Sequence, residues 1–253
     1  MPGIADAYWA TPPIARTVAT AVFVASVGVY THMLSSDPFW FQWKHLWAFP
    51  PGIHRLVTSF LLTGPDMNVL FDTYFVYTYL AQLEKTNSKF TRKEDLIWYL
   101  MFVGGVTITL NQIFTGAGGY LQALLIGMCY TASQDQRGQN AHFYVITIPA
   151  QLMPWCLLLV QLLFPGGWYR VKIGLTGLVA AHMHDFITRL YPEFGNGPNL
   201  APTPWFISWI METPRLNKTV YGSATVPSRG GEPTRSGPLP DSWRSAGPGR
   251  RLG

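Results

Sequence analysis

The chain is 253 residues long, 48% hydrophobic and only 12% charged, with a positive mean hydropathy. Soluble domains carry about 25% charged residues, so this composition argues against a soluble globular protein. The net charge of +5 does not point to nucleic acid, because the basic residues lie between apolar spans and in a Gly/Pro-rich tail instead of along one stripe with interleaved aromatics. Stretches 96–113 and 143–163 carry no charge, whereas Lys85, Lys89, Arg92 and Lys93 gather in one gap. An ionised side chain deep in a bilayer costs about 2.5–3.5 kcal/mol on insertion scales, and membrane chains keep charge in such gaps.

The first apolar span covers about 14–34, from near Arg16 to just before Ser35-Ser36-Asp37-Pro38. As a helix, 20 residues reach about 30 Å, the thickness of the hydrocarbon core. The ten leading residues lack a basic n-region, so the span reads as a retained signal anchor. In loop 35–57, Trp40, Trp43 and Trp47 recur at helical spacings with His45 between them. Tryptophan prefers the headgroup level, which places this loop in the interface; a packed cap over the bundle is the alternative.

Further spans are expected at 58–83, 96–114 and 119–133. The last is short and opens with Thr115-Gly116-Ala117-Gly118-Gly119, a length accommodated by local thinning or by burial among neighbours. A fifth span, 143–163, contains Pro149 and Pro154, which predict a kink or irregular start. After a turn at Pro165-Gly166-Gly167, the sixth runs over 169–191. The fold class is all-α, a polytopic bundle of six transmembrane helices.

Residues 205–212 suggest a short helix at the membrane surface, and from about 221 Gly, Pro, Ser and Arg dominate, a composition that reads as disorder. Two regions are expected: a membrane domain over 1–212 and a flexible tail over 213–253. Of the 18 basic residues, all but Lys44, Arg55, Arg170 and Lys172 fall on the side of the termini, so both termini are assigned to the cytosol. Cys129 and Cys156 lie inside apolar spans and read as buried hydrophobes.

The polar residues within the spans are Asn68, Asp72 and Glu84, then Asn111, Gln112 and Gln122, then His182, His184 and Asp185. In hydrocarbon such groups need partners, so they tie helices together, line a polar path or serve catalysis. His182 and Asp185 have a spacing that could orient an imidazole. Serine chemistry also needs a nucleophile, and the Gly-rich opening of the fourth span offers only the flanking Thr115 and Tyr120. Metal binding is not expected, since residues two apart diverge around a helix, and no cofactor is expected. Gly177 and Ala181 form a small-xxx-small element that lets a neighbouring helix approach closely.

Together these features resemble the Derlin (Der1-like) family, rhomboid-like pseudoproteases of the endoplasmic reticulum membrane, over roughly residues 6–210. The likeness is carried by 8–16 at the start of the first span, by 52–60 with His54-Arg55 standing where the family has Trp-Arg, by Gly64-Pro65, Asn68 and Leu83-Glu84, and by Thr203-Pro204-Trp205-Phe206. The resemblance implies a six-helix rhomboid-like bundle without the catalytic pair, Gly118 standing at the serine and Gly174 at the histidine. Ala181 replaces the second glycine of the family's Gly-x-x-x-Gly.

Separately, Gly247-Pro248-Gly249-Arg250-Arg251-Leu252-Gly253 resembles the box by which several Derlins bind the valosin-containing protein, a hexameric AAA ATPase. The implied function is non-catalytic: recognition of misfolded proteins, help in retrotranslocation, and work with a membrane ubiquitin ligase complex and that ATPase. Asn68, Gln122 and His182 are the expected polar path, and Arg55 the anchor of the first lumenal loop. An active rhomboid-type serine protease is the enzymatic alternative. A transporter or structural adaptor is the other, although spans 1–3 and 4–6 show no inverted repeat. Location in the endoplasmic reticulum rests on the resemblance alone.

Overall fold

A computed structural model describes residues 4–47, 52–85, 90, 92–136, 138–143, 146–195 and 200–211. The tail and its box at 247–253 lie outside the described residues. Helix α1 (Ile4–Trp9) leads into α2 (Pro13–Tyr30), whose proline sits where a missing N–H leaves no bond unmade. Ala15, Ala19, Val22, Ser26 and Val29 form the buried face of α2, at the spacing of one helical stripe. Phe23, Val24 and Val27 leave its other face exposed yet apolar, the pattern of a helix that also meets hydrocarbon.

The buried face of α2 packs on α5 (Asn68–Lys85). At the end of α5, Glu84 accepts the N–H groups of Ile14 and Ala15, at 3.0 Å each. A carboxylate there satisfies orphan donors of α2 and complements its dipole. Glu84→Ala should therefore lower stability by about 1–2 kcal/mol. Glu84→Gln, which keeps an acceptor, should lose less; thermal unfolding in detergent checks both.

Between α2 and α5 the chain makes short turns, including α3 (Trp43–Trp47) and α4 (Arg55–Thr58). The expected second span thus begins at Asn68 instead of 58. Pro65 biases Gly64 away from helical backbone, and Asp66 adopts a left-handed φ of 59°. This irregular stretch is held by α2: the Thr63 N–H donates to Ser26 Oγ at 3.1 Å, and the Tyr30 hydroxyl donates to Thr63 O at 2.5 Å.

Helix α6 (Lys93–Phe114) and α2 are both long and apolar enough to cross a membrane. Helix α7 (Leu121–Asp135) is the centre of the bundle, buried on most sides and packed on α5 and α6. A hairpin follows, with β1 (Asn140–Phe143) antiparallel to β2 (Ile146–Pro149) and Phe143 opposite Ile146. The fifth expected span is therefore corrected. Ile146-Thr147-Ile148 is β-branched and Pro149 cannot donate a helical bond, so 140–143 and 146–149 are extended and α8 (Met153–Gln161) has only 9 residues. The irregular start expected from the two prolines is present, with Pro154 in the first turn of α8.

Helix α9 (Gly167–Asp185) passes through a π-helical turn, Phe186–Leu190, into α10 (Tyr191–Gly195). Both α8 and α9 pack on α7. Helix α11 (Trp205–Met211) is strapped to α6, since Thr203 Oγ1 donates to Asp95 Oδ1 at 2.6 Å and Trp98 Nε1 donates to Ala201 O at 3.2 Å. The main apolar cluster includes Val22, Leu80, Tyr99, Val103, Ile126 and Leu158, and a second gathers Phe41, Ile108, Tyr120 and Ile173 at the opening of α7.

Candidate functional site

Three helices meet through a chain of polar side chains. The Gly64 N–H donates to Asp72 Oδ2 at 3.2 Å, Gln122 Nε2 donates to Asp72 Oδ1 at 2.9 Å, and Gln161 Nε2 donates to Gln122 Oε1 at 2.5 Å. Asp72 comes from α5, Gln122 from α7 and Gln161 from α8, and the chain ends on Gln161 Oε1, a buried acceptor without a partner. Buried polar atoms are almost always bonded, so this acceptor is the open end of the chain. Gln161 was missed at the level of sequence. Its only signal there is an amide in the middle of an apolar run.

Asn68 and His182 stand apart from this chain. Asn68 Nδ2 donates to Pro65 O at 3.0 Å and closes the turn that begins α5. His182 is exposed and pairs through Nδ1 with the Tyr130 hydroxyl at 2.7 Å, about two turns along α7 from Gln122. His184 is buried, edge-on to Tyr99 and Phe102 at 5.0 and 5.3 Å, and Asp185 takes two bonds from Arg189 at 3.0 and 3.2 Å. The two histidines therefore point to different surroundings. Among the described residues no three His, Cys, Asp or Glu side chains group as a metal site.

The Gly-rich opening of α7 is held by its own bonds and by the first loop. Gln112 Nε2 and the Tyr120 hydroxyl both donate to Ala117 O, at 2.8 and 2.7 Å. The Phe41 N–H donates to Gly118 O at 2.9 Å. A Cβ on Gly118 would lie 2.8 Å from a Trp40 ring carbon and 3.0 Å from Phe41 O, so no side chain fits while this loop is seated. Thr115 bonds to Asn111 and Tyr120 to Gln112 and Ala117; among the described residues neither hydroxyl bonds to a histidine or carboxylate. At Gly174, a Cβ would run into Ile126 and Leu158, so apolar side chains fill that space.

The first loop divides between the two settings expected for it. Phe39 and Phe41 are buried as a cap, whereas Trp40, Trp43 and Trp47 remain exposed. Arg55 ties the loop together: its Nη1 donates to Asp37 O at 2.5 Å and to Trp40 O at 2.8 Å. His54, beside it, is exposed.

Gly177 and Ala181 lie where α9 crosses α7. A Cβ on Gly177 would overlap the Ala123 carbonyl, and one on Gly127 would lie 3.0 Å from Gly177 O and 3.5 Å from the Ala181 methyl. Small residues on both helices bring the backbones together. Thr176 continues this contact to α6, accepting from Asn111 Nδ2 at 2.6 Å. Asn111 was noted in the sequence as a polar residue; its partner on α9 was not.

The family model described as "Der1-like family" matches residues 11–205. The chain is 26% identical to "Derlin-1" of Arabidopsis thaliana, over 88% of this chain and 82% of that protein. It is 24% identical to the "Probable derlin-1 homolog" of Dictyostelium discoideum, over 83% of this chain and 86% of the relative. To "Derlin-2.2" of Arabidopsis thaliana it is 26% identical, with 81% and 86% covered. The family match runs from the α1–α2 turn to the first residue of α11 and takes in every helix that shapes the polar chain and the α7–α9 contact: this chain belongs to the Der1-like family.

Proposed function

We propose that this protein is a non-catalytic component of endoplasmic-reticulum-associated degradation, a six-span membrane protein with cytosolic termini that helps misfolded proteins cross toward a cytosolic ATPase. The observation that carries the reading is the Asp72–Gln122–Gln161 chain, which joins α5, α7 and α8 within the bundle. A polypeptide crossing hydrocarbon must satisfy its own backbone donors and acceptors. A buried amide chain with a spare acceptor at Gln161 offers partners to such a chain.

Helix lengths support the same mechanism. The 15 residues of α7 and 9 of α8 reach about 22 and 14 Å, well short of a 30 Å hydrocarbon core. Short helices favour local thinning, which reduces the apolar distance to be crossed. The path residues proposed are Asp72, Gln122 and Gln161, with Asn68 and His182 outside that connected chain. Gly118 and Gly174, standing where a nucleophile and base would be, make the fold a pseudoprotease.

The cytosolic half of this function is assigned to the box at 247–253, acting as a peptide for a valosin-containing-protein-type ATPase, and a membrane ubiquitin ligase complex is the expected neighbour. Copurification from mild detergent should recover the ATPase with the full chain and not with one truncated after Ala246. Recovery with both would place recruitment on another cytosolic surface. Loss of the protein should also lengthen the half-life of a misfolded membrane reporter; an unchanged half-life would remove the degradation role.

A further inference from the structure

A cavity of about 360 Å³ lies where the start of α2, the end of α5 and the start of α6 come together. Pro12, Pro13, Phe90 and Leu96 supply its apolar wall, and Lys85, Arg92 and Lys93 its cations. All three cations are exposed, and among the described residues none is paired with a carboxylate. Glu84 also lines the cavity, but its carboxylate already accepts the N–H groups of Ile14 and Ala15. Three cations thus face a concave space whose one acid is engaged elsewhere.

We infer that this cavity binds the headgroup of an anionic phospholipid. The shared chemistry is a phosphate, and the setting selects a lipid as its source. The cavity sits at the ends of α2 and α6, the two helices long and apolar enough to cross a membrane, so its mouth falls at headgroup level. Basic residues at such a level attract anionic lipid, each contributing about fivefold in affinity. The apolar wall distinguishes the place from a solvated loop, since it lets the first acyl carbons follow the phosphate inward. This inference rests on the membrane-spanning part of the proposed function but not on the degradation role.

The test is native mass spectrometry of the full chain in detergent, titrated with phosphatidylserine or a phosphatidylinositol phosphate and, in parallel, with phosphatidylcholine. The full chain should retain anionic lipid, and Lys85→Gln, Arg92→Gln and Lys93→Gln together should weaken that retention roughly 100-fold. Lys85→Arg with Arg92→Lys should keep it, and Arg170→Gln with Lys172→Gln on α9 should leave it unchanged. Equal retention by the full chain and the triple variant, with both monodisperse on gel filtration, overturns the site. Competition by millimolar inorganic phosphate as strong as that by lipid overturns the lipid as its source. Resistance to alkaline extraction from membranes, measured first, separates a failed site from a failed membrane assignment. Reporter half-life reads the degradation role independently.

Discussion

A Gly177→Ala variant should be less stable than the parent protein by about 1–3 kcal/mol, and Gly177→Leu should fail to accumulate as folded protein. Helix propensity alone predicts the opposite for alanine, which is favoured over glycine by roughly 1 kcal/mol in a helix interior. The sign reverses because the added carbon meets the Ala123 carbonyl, which is backbone of the central helix and cannot rotate away. Relief requires α9 to move from α7, opening contacts along the helix, including the approach of Gly127 to Gly177 and Ala181. Total stability in proteins is only about 5–15 kcal/mol, so leucine at this position removes much of it. Gly105 on α6 supplies the control: a Cβ there meets nothing within 4 Å, and Gly105→Ala should stabilise by roughly 0.5–1 kcal/mol. Thermal unfolding by fluorescence-detected gel filtration compares all three variants. A stabilised Gly177→Ala would mean that the two helices are farther apart than the structure places them.

Gln122→Met should destabilise by about 2 kcal/mol, whereas Asp72→Leu, Gln122→Met and Gln161→Met combined should cost no more than the single change. Removing Gln122 alone takes a donor from Asp72 and an acceptor from Gln161 while both remain buried. Among the described residues, replacing the whole chain by apolar groups of similar shape leaves only the Gly64 N–H without its acceptor. Function should separate from stability. The folded triple variant should lengthen the half-life of a misfolded membrane reporter as much as loss of the protein does, because the polar partners are gone. A triple variant that degrades the reporter at the normal rate would reduce the Asp72–Gln122–Gln161 chain to a structural tie.

The helical class and much of the segment order were legible because apolar length is a property of the sequence. Residues 14–34 and 96–114 contain most of α2 and α6 for that reason. Boundaries failed where a local conformational preference interrupts an apolar run. The Gly64-Pro65-Asp66 turn delays α5, and the β-branched 146–148 followed by Pro149 forms a strand where apolarity alone suggested the start of a helix. The proline signal was read, but a strand pair needs a partner at the right register, which one segment does not reveal.

The candidate site was legible by residue type and not by connection. Asp72, Gln122 and Asn111 stand out as polar groups in apolar spans, and Arg55 as a cation of the first loop, where it donates to Asp37 O and Trp40 O. Gln161 did not stand out, and Asn68 and His182 were grouped with Gln122 although they bond elsewhere. What the sequence determined by itself was family, helical class and the places where bulk is missing, because motif, apolar length and the absence of a side chain are all written residue by residue. Only the tertiary structure decided which polar groups share bonds, that Trp40 and Phe41 close over Gly118, and that three cations face one cavity. Those depend on the rotation of each helix about its axis, which is fixed by packing against several neighbours at once.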